Sequence, residues 1–147
     1  RAVIVYDSMW GSTGIMASAI ASGLEDEGVP VRIIDIQKNH HSDVMTELAD
    51  CGAVIVGSAT HNNNVLPGIA DVLTYMKGLR PLNRVGAAFG SYGWSGESPK
   101  IIQEWLASMN MDMPADPVKC LFVPKHEGLS QCVALGKTVA EALKAKC

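Results

Sequence analysis

Two kinds of segment alternate along this chain. Runs of consecutive apolar residues, typical of strands covered on both faces, occur at Ala2–Tyr6, Val31–Ile36, Ala53–Gly57, Val85–Gly90 and Val118–Val123. Between and after them, apolar residues recur at helical spacing, which predicts helices near 13–27, 42–50, 66–79, 97–110 and 129–145. This strict alternation predicts an α/β protein with a parallel sheet and helices on both of its faces.

The charges within the runs predict the order of the strands. The first, third and fourth runs are almost continuously apolar, as central strands of a parallel sheet are. The second run contains Arg32 and Asp35 and the fifth contains Lys119, so these two runs suit the edges. The predicted order of the five-stranded parallel sheet is therefore 2-1-3-4-5. Ligands of such doubly wound sheets bind at the carboxyl ends of the strands, where the chain order reverses, here between strands one and three.

The bulk composition excludes several classes of function. With 147 residues, 48% hydrophobic and 18% charged, we expect one globular domain. Twelve basic and fifteen acidic residues give a net charge of −3 without a basic stripe, which argues against nucleic-acid binding. No apolar run approaches the roughly 20 residues of a membrane span, and no signal peptide opens the chain, so we expect no membrane association.

The cysteines and histidines suggest a cytoplasmic protein without a metal site. Cys51, Cys120, Cys132 and Cys147 form no CxxC motif and no metal-ligand pairs with histidines. Scattered thiols are typical of a reducing cytoplasm. The neighbouring pair His40–His41 lacks a third ligand at metal spacing, so we interpret it as solvated.

A turn rich in hydroxyl groups follows the first run. Tyr6–Thr13 reads Tyr-Asp-Ser-Met-Trp-Gly-Ser-Thr and leads into the first predicted helix. The first N–H groups of a helix lack partners within it, and its dipole is positive there, so such turns bind anions. Ser8, Ser12 and Thr13 add hydroxyl donors, and no lysine is present. Gly11 permits close approach of the backbone. The turn predicts a site that holds a phosphate, with an ordinary helix cap as the alternative.

Two further loops are expected at the same edge of the sheet, because the carboxyl ends of parallel strands lie together. Gly57–Asn64 follows the third strand and is rich in amides, and Gly90–Gly96 follows the fourth. The second of these loops carries Tyr92 and Trp94 among glycines, and an aromatic ring held in this way can stack on a flat ligand. The three loops together predict a site for a phosphorylated, planar, heteroaromatic ligand. The alternative for Trp94 is that it shields the end of the following helix.

At these loops the sequence resembles the flavodoxins. Ser8-x-x-Gly11-Ser12-Thr13 is similar to their phosphate loop, [ST]-x-T-G-x-T, with Trp10 where Thr is usual. Gly90–Trp94 is similar to the second flavin loop of short-chain flavodoxins, in which the Trp packs against the isoalloxazine. The resemblance covers essentially the whole chain. It implies a flavodoxin-like doubly wound fold and FMN as the cofactor.

Three segments narrow the resemblance to the flavodoxin domain of flavodiiron proteins, also called A-type flavoproteins. They are Tyr6–Thr13, Thr60–Asn63 with Leu66-Pro67, and Ser91–Gly96, and the Met9-Trp10 pair is the most discriminating part. In that family the domain follows a metallo-β-lactamase-like domain whose two irons reduce dioxygen or nitric oxide. The resemblance implies that residues 1–147 are an electron-transfer domain excised from a longer chain, which the missing initiator Met also suggests.

The same resemblance implies the partners and the site residues. The domain would accept electrons from a redox donor such as rubredoxin or a reductase and pass them to the di-iron domain of the same or a neighbouring chain. The iron ligands are not in this sequence, so neither catalytic nor metal-binding residues are predicted here. The implied cofactor-binding residues are Ser8, Met9, Trp10, Gly11, Ser12, Thr13, Thr60, His61, Asn62, Asn63, Ser91, Tyr92, Gly93, Trp94, Ser95 and Gly96. His61 is the titratable side chain expected near the flavin, with a surface-facing position as its alternative.

Three other functions compete with this interpretation. A stand-alone flavodoxin electron carrier would have the same local chemistry. An FMN-dependent quinone reductase of related fold would need longer inserted loops than this chain has. A response-regulator receiver shares the 2-1-3-4-5 sheet, and Asp7 and Lys125 lie near two of the positions that it needs. However, strand three ends in Gly57-Ser58 and offers no phosphoryl-accepting Asp.

Overall fold

The computed structural model describes residues 1–7, 11–38, 44–47, 52–61, 64–79, 84–92, 97–121 and 126–145. The strands are β1 (Ala2–Asp7), β2 (Val31–Asp35), β3 (Ala53–His61), β4 (Asn64–Val65), β5 (Val85–Tyr92) and β6 (Val118–Leu121). The helices are α1 (Ser12–Asp26), α2 (Pro67–Leu79), α3 (Glu97–Ser108) and α4 (His126–Ala145). Residues 44–47 are also helical, and the rest of the helix predicted at 42–50 lies outside the described residues.

The long strands form a parallel sheet in the order β2-β1-β3-β5-β6. Since β5 and β6 correspond to the fourth and fifth apolar runs, the predicted order 2-1-3-4-5 is confirmed. The charged strands β2 and β6 lie at the edges, where charged side chains can reach water. The chain order reverses between β1 and β3, which places the expected ligand site at the carboxyl ends of these two strands.

The boundaries of several elements differ from the prediction. β3 continues past Gly57 to His61 and β5 continues past Gly90 to Tyr92, because their backbones stay paired with β4, with each other and with β6 up to these ends. The short β4, which was not predicted, pairs antiparallel with the end of β3. Helix α3 ends at Ser108 rather than at residue 110, because Asn110 has a φ of 61° and leaves the helical conformation.

The sheet separates two hydrophobic cores. Alternate residues of each strand point to opposite faces, so Ala2 and Ile4 lie in one core and Val3 and Val5 in the other. The first core is closed by α1 and α4, whose Ile20 and Val139 are fully buried. The second core is closed by α2 and α3, through residues that include Ile69, Leu73, Ile102 and Leu106. Helices on both faces therefore hold the sheet rigid behind the loops at its carboxyl edge.

Helices α1 and α4 cross at two glycines. A Cβ added at Gly23 would overlap the carbonyl oxygen of Val133, and one added at Gly136 would overlap the carbonyl oxygen of Ile20. The two glycine positions also face each other, since a Cβ at Gly136 would lie 3.1 Å from the Cα of Gly23. This close backbone contact fixes the position of α1, the helix that follows the predicted phosphate turn. No helix in the described part of the chain is long and apolar enough to cross a bilayer.

Candidate functional site

The predicted phosphate turn joins β1 to α1 at the reversal point of the sheet. Ser8, Met9 and Trp10 lie outside the described residues. Gly11 is the N-cap of α1 and has a φ of 84°, a left-handed conformation that glycine adopts without strain. A Cβ at Gly11 would meet nothing within 4 Å, so glycine is required by backbone conformation rather than by crowding.

The first turn of α1 is suited to an anion. Its cap residue is a glycine and provides no side-chain hydrogen bond, and no acidic residue lies in the first turn. The helix cap formed by a Ser or Thr side chain, which was the alternative for this turn, is therefore absent at the N-cap position. The N–H groups of the first turn and the positive end of the helix dipole lie at this end of α1. These properties fit a bound phosphate group.

A buried hydroxyl pair connects this turn to the end of β5. Thr13 Oγ1 and Ser91 Oγ lie 2.9 Å apart, within hydrogen-bond distance. Thr13 is fully buried and Ser91 is 6% exposed, so the pair lies inside the fold. The structure thus brings together two of the three predicted segments. With its hydroxyl bonded to Ser91, Thr13 is a bridge between segments, and Ser12, which is also buried, begins the helix beside it.

The third predicted segment begins at the end of β3. Thr60 Oγ1 donates a hydrogen bond to Ser98 Oγ at 2.9 Å, which joins this segment to the first turn of α3. The backbone of His61 pairs with Asn64 across the β3–β4 hairpin. Asn62 and Asn63 lie outside the described residues, as do Gly93, Trp94, Ser95 and Gly96. The roles expected of these residues, and of the His61 side chain, therefore stay predictions.

Tyr92 stands at the last position of β5, directly before the segment that contains Trp94. Its side chain is half-buried, and Lys119 Nζ lies 5.9 Å from the centre of its ring, a cation–π contact from the edge strand β6. Lys119 was not among the residues predicted for this site. The predicted strand order could have indicated it, because β6 lies next to β5 and Lys119 directly precedes Cys120, which pairs with Ser91.

Two further polar residues were missed. Ser58 Oγ accepts a hydrogen bond from the backbone N–H of Leu66 at 2.9 Å. Ser98, in the first turn of α3, is buried against β3. Ser98 directly precedes Pro99, a pattern typical of the start of a helix, but its partner Thr60 is distant in the sequence. A third feature is Asp7, a buried residue whose Oδ1 accepts a hydrogen bond from Gln37 Nε2 at 2.7 Å.

Three described titratable groups, one tyrosine and two cysteines, have a raised pKa, with burial as the main cause. Burial raises the pKa of Tyr6, and Asp35 on the paired strand raises it further. Burial and the neighbouring Cys120 raise the pKa of Cys132 to about 12, and burial also raises the pKa of Cys120. A thiol with a raised pKa is a poor nucleophile at neutral pH. Among the described residues, no group of three or more His, Cys, Asp and Glu side chains could hold a metal ion.

Comparison with known proteins agrees with this geometry. The sequence profile of the family described as Flavodoxin matches residues 4–136. The solved structure of rubredoxin oxygen:oxidoreductase from the anaerobe Desulfovibrio gigas is 54% identical and superposes with a TM-score of 0.96. The match covers 99% of this chain and 36% of that one. The chain therefore spans little more than a third of the length of this relative.

Two other solved structures are similar to this chain in different ways. The flavodiiron protein from Giardia intestinalis is 29% identical, with a TM-score of 0.92, and the match covers 99% of this chain and 36% of that protein. A flavodoxin from the domain Archaea is 35% identical, with a TM-score of 0.87. This match covers 97% of this chain and 98% of the archaeal flavodoxin, so the two have nearly the same length.

Proposed function

This chain belongs to the flavodoxin family, and from that premise we propose that it is the FMN-carrying electron-transfer domain of a flavodiiron protein. The domain accepts electrons from a redox donor and passes them to a di-iron site that reduces dioxygen or nitric oxide. The observation that carries the proposal is the first turn of α1, which has a left-handed glycine as its N-cap and no acidic residue, joined by the buried Thr13–Ser91 pair to the end of β5. The similarity to rubredoxin oxygen:oxidoreductase along 99% of the chain favours the flavodiiron family.

FMN is the cofactor of flavodoxin domains and of their flavodiiron homologues. On this proposal the phosphate of FMN is held by backbone N–H groups at the start of α1 and by the hydroxyls of the Ser8–Thr13 turn. The residues that follow Thr60 and those that follow Tyr92, Trp94 among them, would hold the isoalloxazine. FMN supplies the redox chemistry when it is bound.

The residues of the chain then serve to bind and orient. The dipole of α1 stabilises a dianion without a lysine, which suits a phosphate that is held rather than transferred. The Thr13–Ser91 pair keeps the phosphate turn and the ring-contacting loop in one relative position. Lys119 places a cation over the ring of Tyr92, one of the predicted ring contacts.

The partners follow from the same proposal. We propose that a metallo-β-lactamase-like domain with two irons, in the same or a neighbouring chain, receives the electrons. The name of the Desulfovibrio gigas relative suggests rubredoxin as the donor, and a reductase is the alternative. A cytoplasmic location agrees with a redox partner of this kind.

A stand-alone flavodoxin is the second candidate function. The observation that favours it is the archaeal flavodoxin, which this chain matches over nearly the whole length of both proteins. The two candidates predict the same cofactor and the same local chemistry. They differ in the electron acceptor, since only the flavodiiron domain delivers electrons to a di-iron domain.

Anaerobic stopped-flow spectroscopy separates the candidates. The FMN-loaded chain is reduced, and its flavin absorbance is followed after mixing with the oxidised di-iron domain of a flavodiiron protein, with and without dioxygen or nitric oxide. Rapid reoxidation that depends on the di-iron domain supports the flavodiiron proposal. Reoxidation at the same slow rate with and without that domain would contradict it and favour the stand-alone carrier.

A further inference from the structure

A pair of hydroxyl residues joins the end of β3 to the first turn of α3. Thr60 Oγ1 donates to Ser98 Oγ at 2.9 Å, and the backbone N–H of Ser98 donates to Thr60 Oγ1 at 3.2 Å. Ser98 Oγ donates in turn to the carbonyl oxygen of Ser58 at 3.0 Å. These two residues, with their reciprocal hydrogen bonds, form what we call the Thr60–Ser98 latch.

The Ser98 side of the latch is buried and closely packed, and Thr60 is half-buried. Ser98 and Ser58 are fully buried, so water cannot replace a lost partner. A Cβ added at Gly90 on β5 would lie 2.8 Å from Ser98 Oγ and would overlap the carbonyl oxygen of Ser58. The latch is therefore held against two of the central strands, β3 and β5, and its Ser98 side has little room to move.

The latch lies at the base of both segments expected to contact the flavin ring. His61, Asn62 and Asn63 follow Thr60 directly, and the segment Gly93–Gly96 precedes α3, in whose first turn Ser98 lies. A bond between Thr60 and Ser98 consequently fixes the distance between the end of one segment and the end of the other. The hydroxyl of Thr60 is committed to Ser98, which makes Thr60 an anchor rather than a direct ligand.

We propose that Thr60 and Ser98 are positioning residues that act together to set the relative affinity of the site for oxidised and reduced FMN. This inference rests on the proposed function, since it requires that FMN binds between the two segments. The latch touches neither form of the cofactor and acts through the backbone of the loops that it anchors. Ser98 was not predicted as a site residue, and Thr60 was predicted as a ligand.

The redox potential of the bound cofactor separates this role from a merely structural one. The shift of the potential from that of free FMN measures the ratio of the dissociation constants of reduced and oxidised FMN, by thermodynamic linkage. If the latch only stabilised the fold, its loss would weaken both forms equally and leave this ratio unchanged. If it sets the spacing of the ring-contacting loops, its loss changes the ratio, because the two forms differ in charge and protonation.

The test compares latch variants with matched controls in the FMN-loaded protein. The latch variants are Ser98→Ala, Thr60→Val and the double variant. The controls are Ser108→Ala and Thr74→Val, which remove exposed hydroxyls bonded only to the carbonyl oxygens of Trp105 and Ala70. Fluorescence titration gives the dissociation constant for oxidised FMN, and spectroelectrochemistry gives the midpoint potentials.

We expect each single latch variant to change the ratio of the two dissociation constants by about tenfold or more. The double variant should change it no further than the larger single effect, because the two residues form one unit. Thr60→Ser, which keeps the hydroxyl, should restore the wild-type ratio, and both controls should leave it unchanged.

Several results would overturn the inference. One is an equal weakening of oxidised and reduced FMN binding, and another is full additivity of Ser98→Ala and Thr60→Val. If Ser98→Ala does not fold, Thr60→Val and Thr60→Ser carry the same comparison. If the wild-type protein binds FMN and the latch variants have unchanged midpoint potentials, only the proposal about the latch is refuted. A wild-type protein that binds no FMN refutes the proposed function, and the latch with it.

Discussion

The crossing of α1 and α4 predicts a large effect of the smallest possible substitution, Gly136→Ala. The added methyl would overlap the carbonyl oxygen of Ile20 and lie 3.0 Å from the backbone nitrogen of Leu24 and 3.1 Å from the Cα of Gly23. These are all backbone atoms, which cannot rotate out of the way as a flexible side chain can. The two helices must therefore separate locally.

The expected cost follows from two opposing terms. Overpacking of a filled core costs about 1–3 kcal/mol, and separation also loosens neighbouring core residues such as Ile20 and Val139. Replacing glycine by alanine inside a helix recovers about 1 kcal/mol through backbone entropy. Because the added methyl meets only backbone atoms, we take the upper end of the overpacking cost and expect a net loss of about 2 kcal/mol in the free energy of unfolding. With an unfolding entropy of about 2.1 cal/mol/K per residue, this corresponds to a decrease in Tm of about 6 °C.

Gly78→Ala in α2 is the matched control. A Cβ at Gly78 would meet no atom within 4 Å, so the same substitution there should raise stability by a few tenths of a kcal/mol. Both variants are measured by urea denaturation and by thermal melting followed by circular dichroism. The reasoning is refuted if Gly136→Ala is as stable as Gly78→Ala, because the helix contact would then have tolerated the methyl.

Three further predictions concern the site and the cores. Thr13→Val removes the buried partner of Ser91 and should lower the free energy of unfolding by about 1–2 kcal/mol; a loss no larger than that of the exposed control Thr74→Val in urea denaturation would contradict the buried pair. Gly57→Ala would overlap the ring of Phe89, and we expect Phe89→Leu to recover part of the lost stability; strictly additive losses in a double-mutant cycle would argue against that contact. Because the pKa of Cys132 is raised from 9.0 to about 12, the folded protein keeps a proton that the unfolded chain loses, so stability falls as the pH rises from 9 toward 12. Cys132→Ala should lose less stability than the wild type between pH about 8 and about 10, and an equal loss would contradict this assignment.

The strand order could be predicted from the sequence because it depends on which strands are buried. Arg32 lies in β2 and Lys119 lies in β6. A strand that carries charged side chains suits the edge of a sheet, and the topology confirms this position for both strands. The apolar spacing of the helices likewise predicted their buried faces, as at Leu73 and Leu106, both fully buried. These features are local in the sequence, so a pattern along the chain can reveal them.

Contacts between distant segments could not be predicted in the same way. Thr60 and Ser98 are ordinary hydroxyl residues 38 positions apart in the sequence, and only the close approach of β3 and α3 makes them partners. Gly23 and Gly136 read as weak helix positions until the crossing of their helices shows why a side chain is excluded. The short β4 has two residues, too few for any periodicity.

The phosphate turn contains one feature that the sequence predicted and one that it did not. Its glycine and hydroxyls predicted an anion site, and the left-handed Gly11 and the absence of acidic residues from the first turn of α1 agree with that prediction. The sequence did not indicate that Thr13 would be fully buried and bonded to Ser91. Its hydroxyl therefore connects the first turn of α1 to the end of β5, a role that depends on the parallel arrangement of β1, β3 and β5.

The most direct test of the central claim is a titration of the flavin-free chain with FMN and with riboflavin, followed by flavin fluorescence. We predict one FMN per chain, bound at least about 100-fold more tightly than riboflavin. The reason is that the phosphate adds charge-assisted hydrogen bonds at the start of α1, each worth about 1.5–3 kcal/mol. Failure to bind FMN would contradict the assignment of a flavin site. Equal affinities for FMN and riboflavin would contradict the role of the Ser8–Thr13 turn as the phosphate holder.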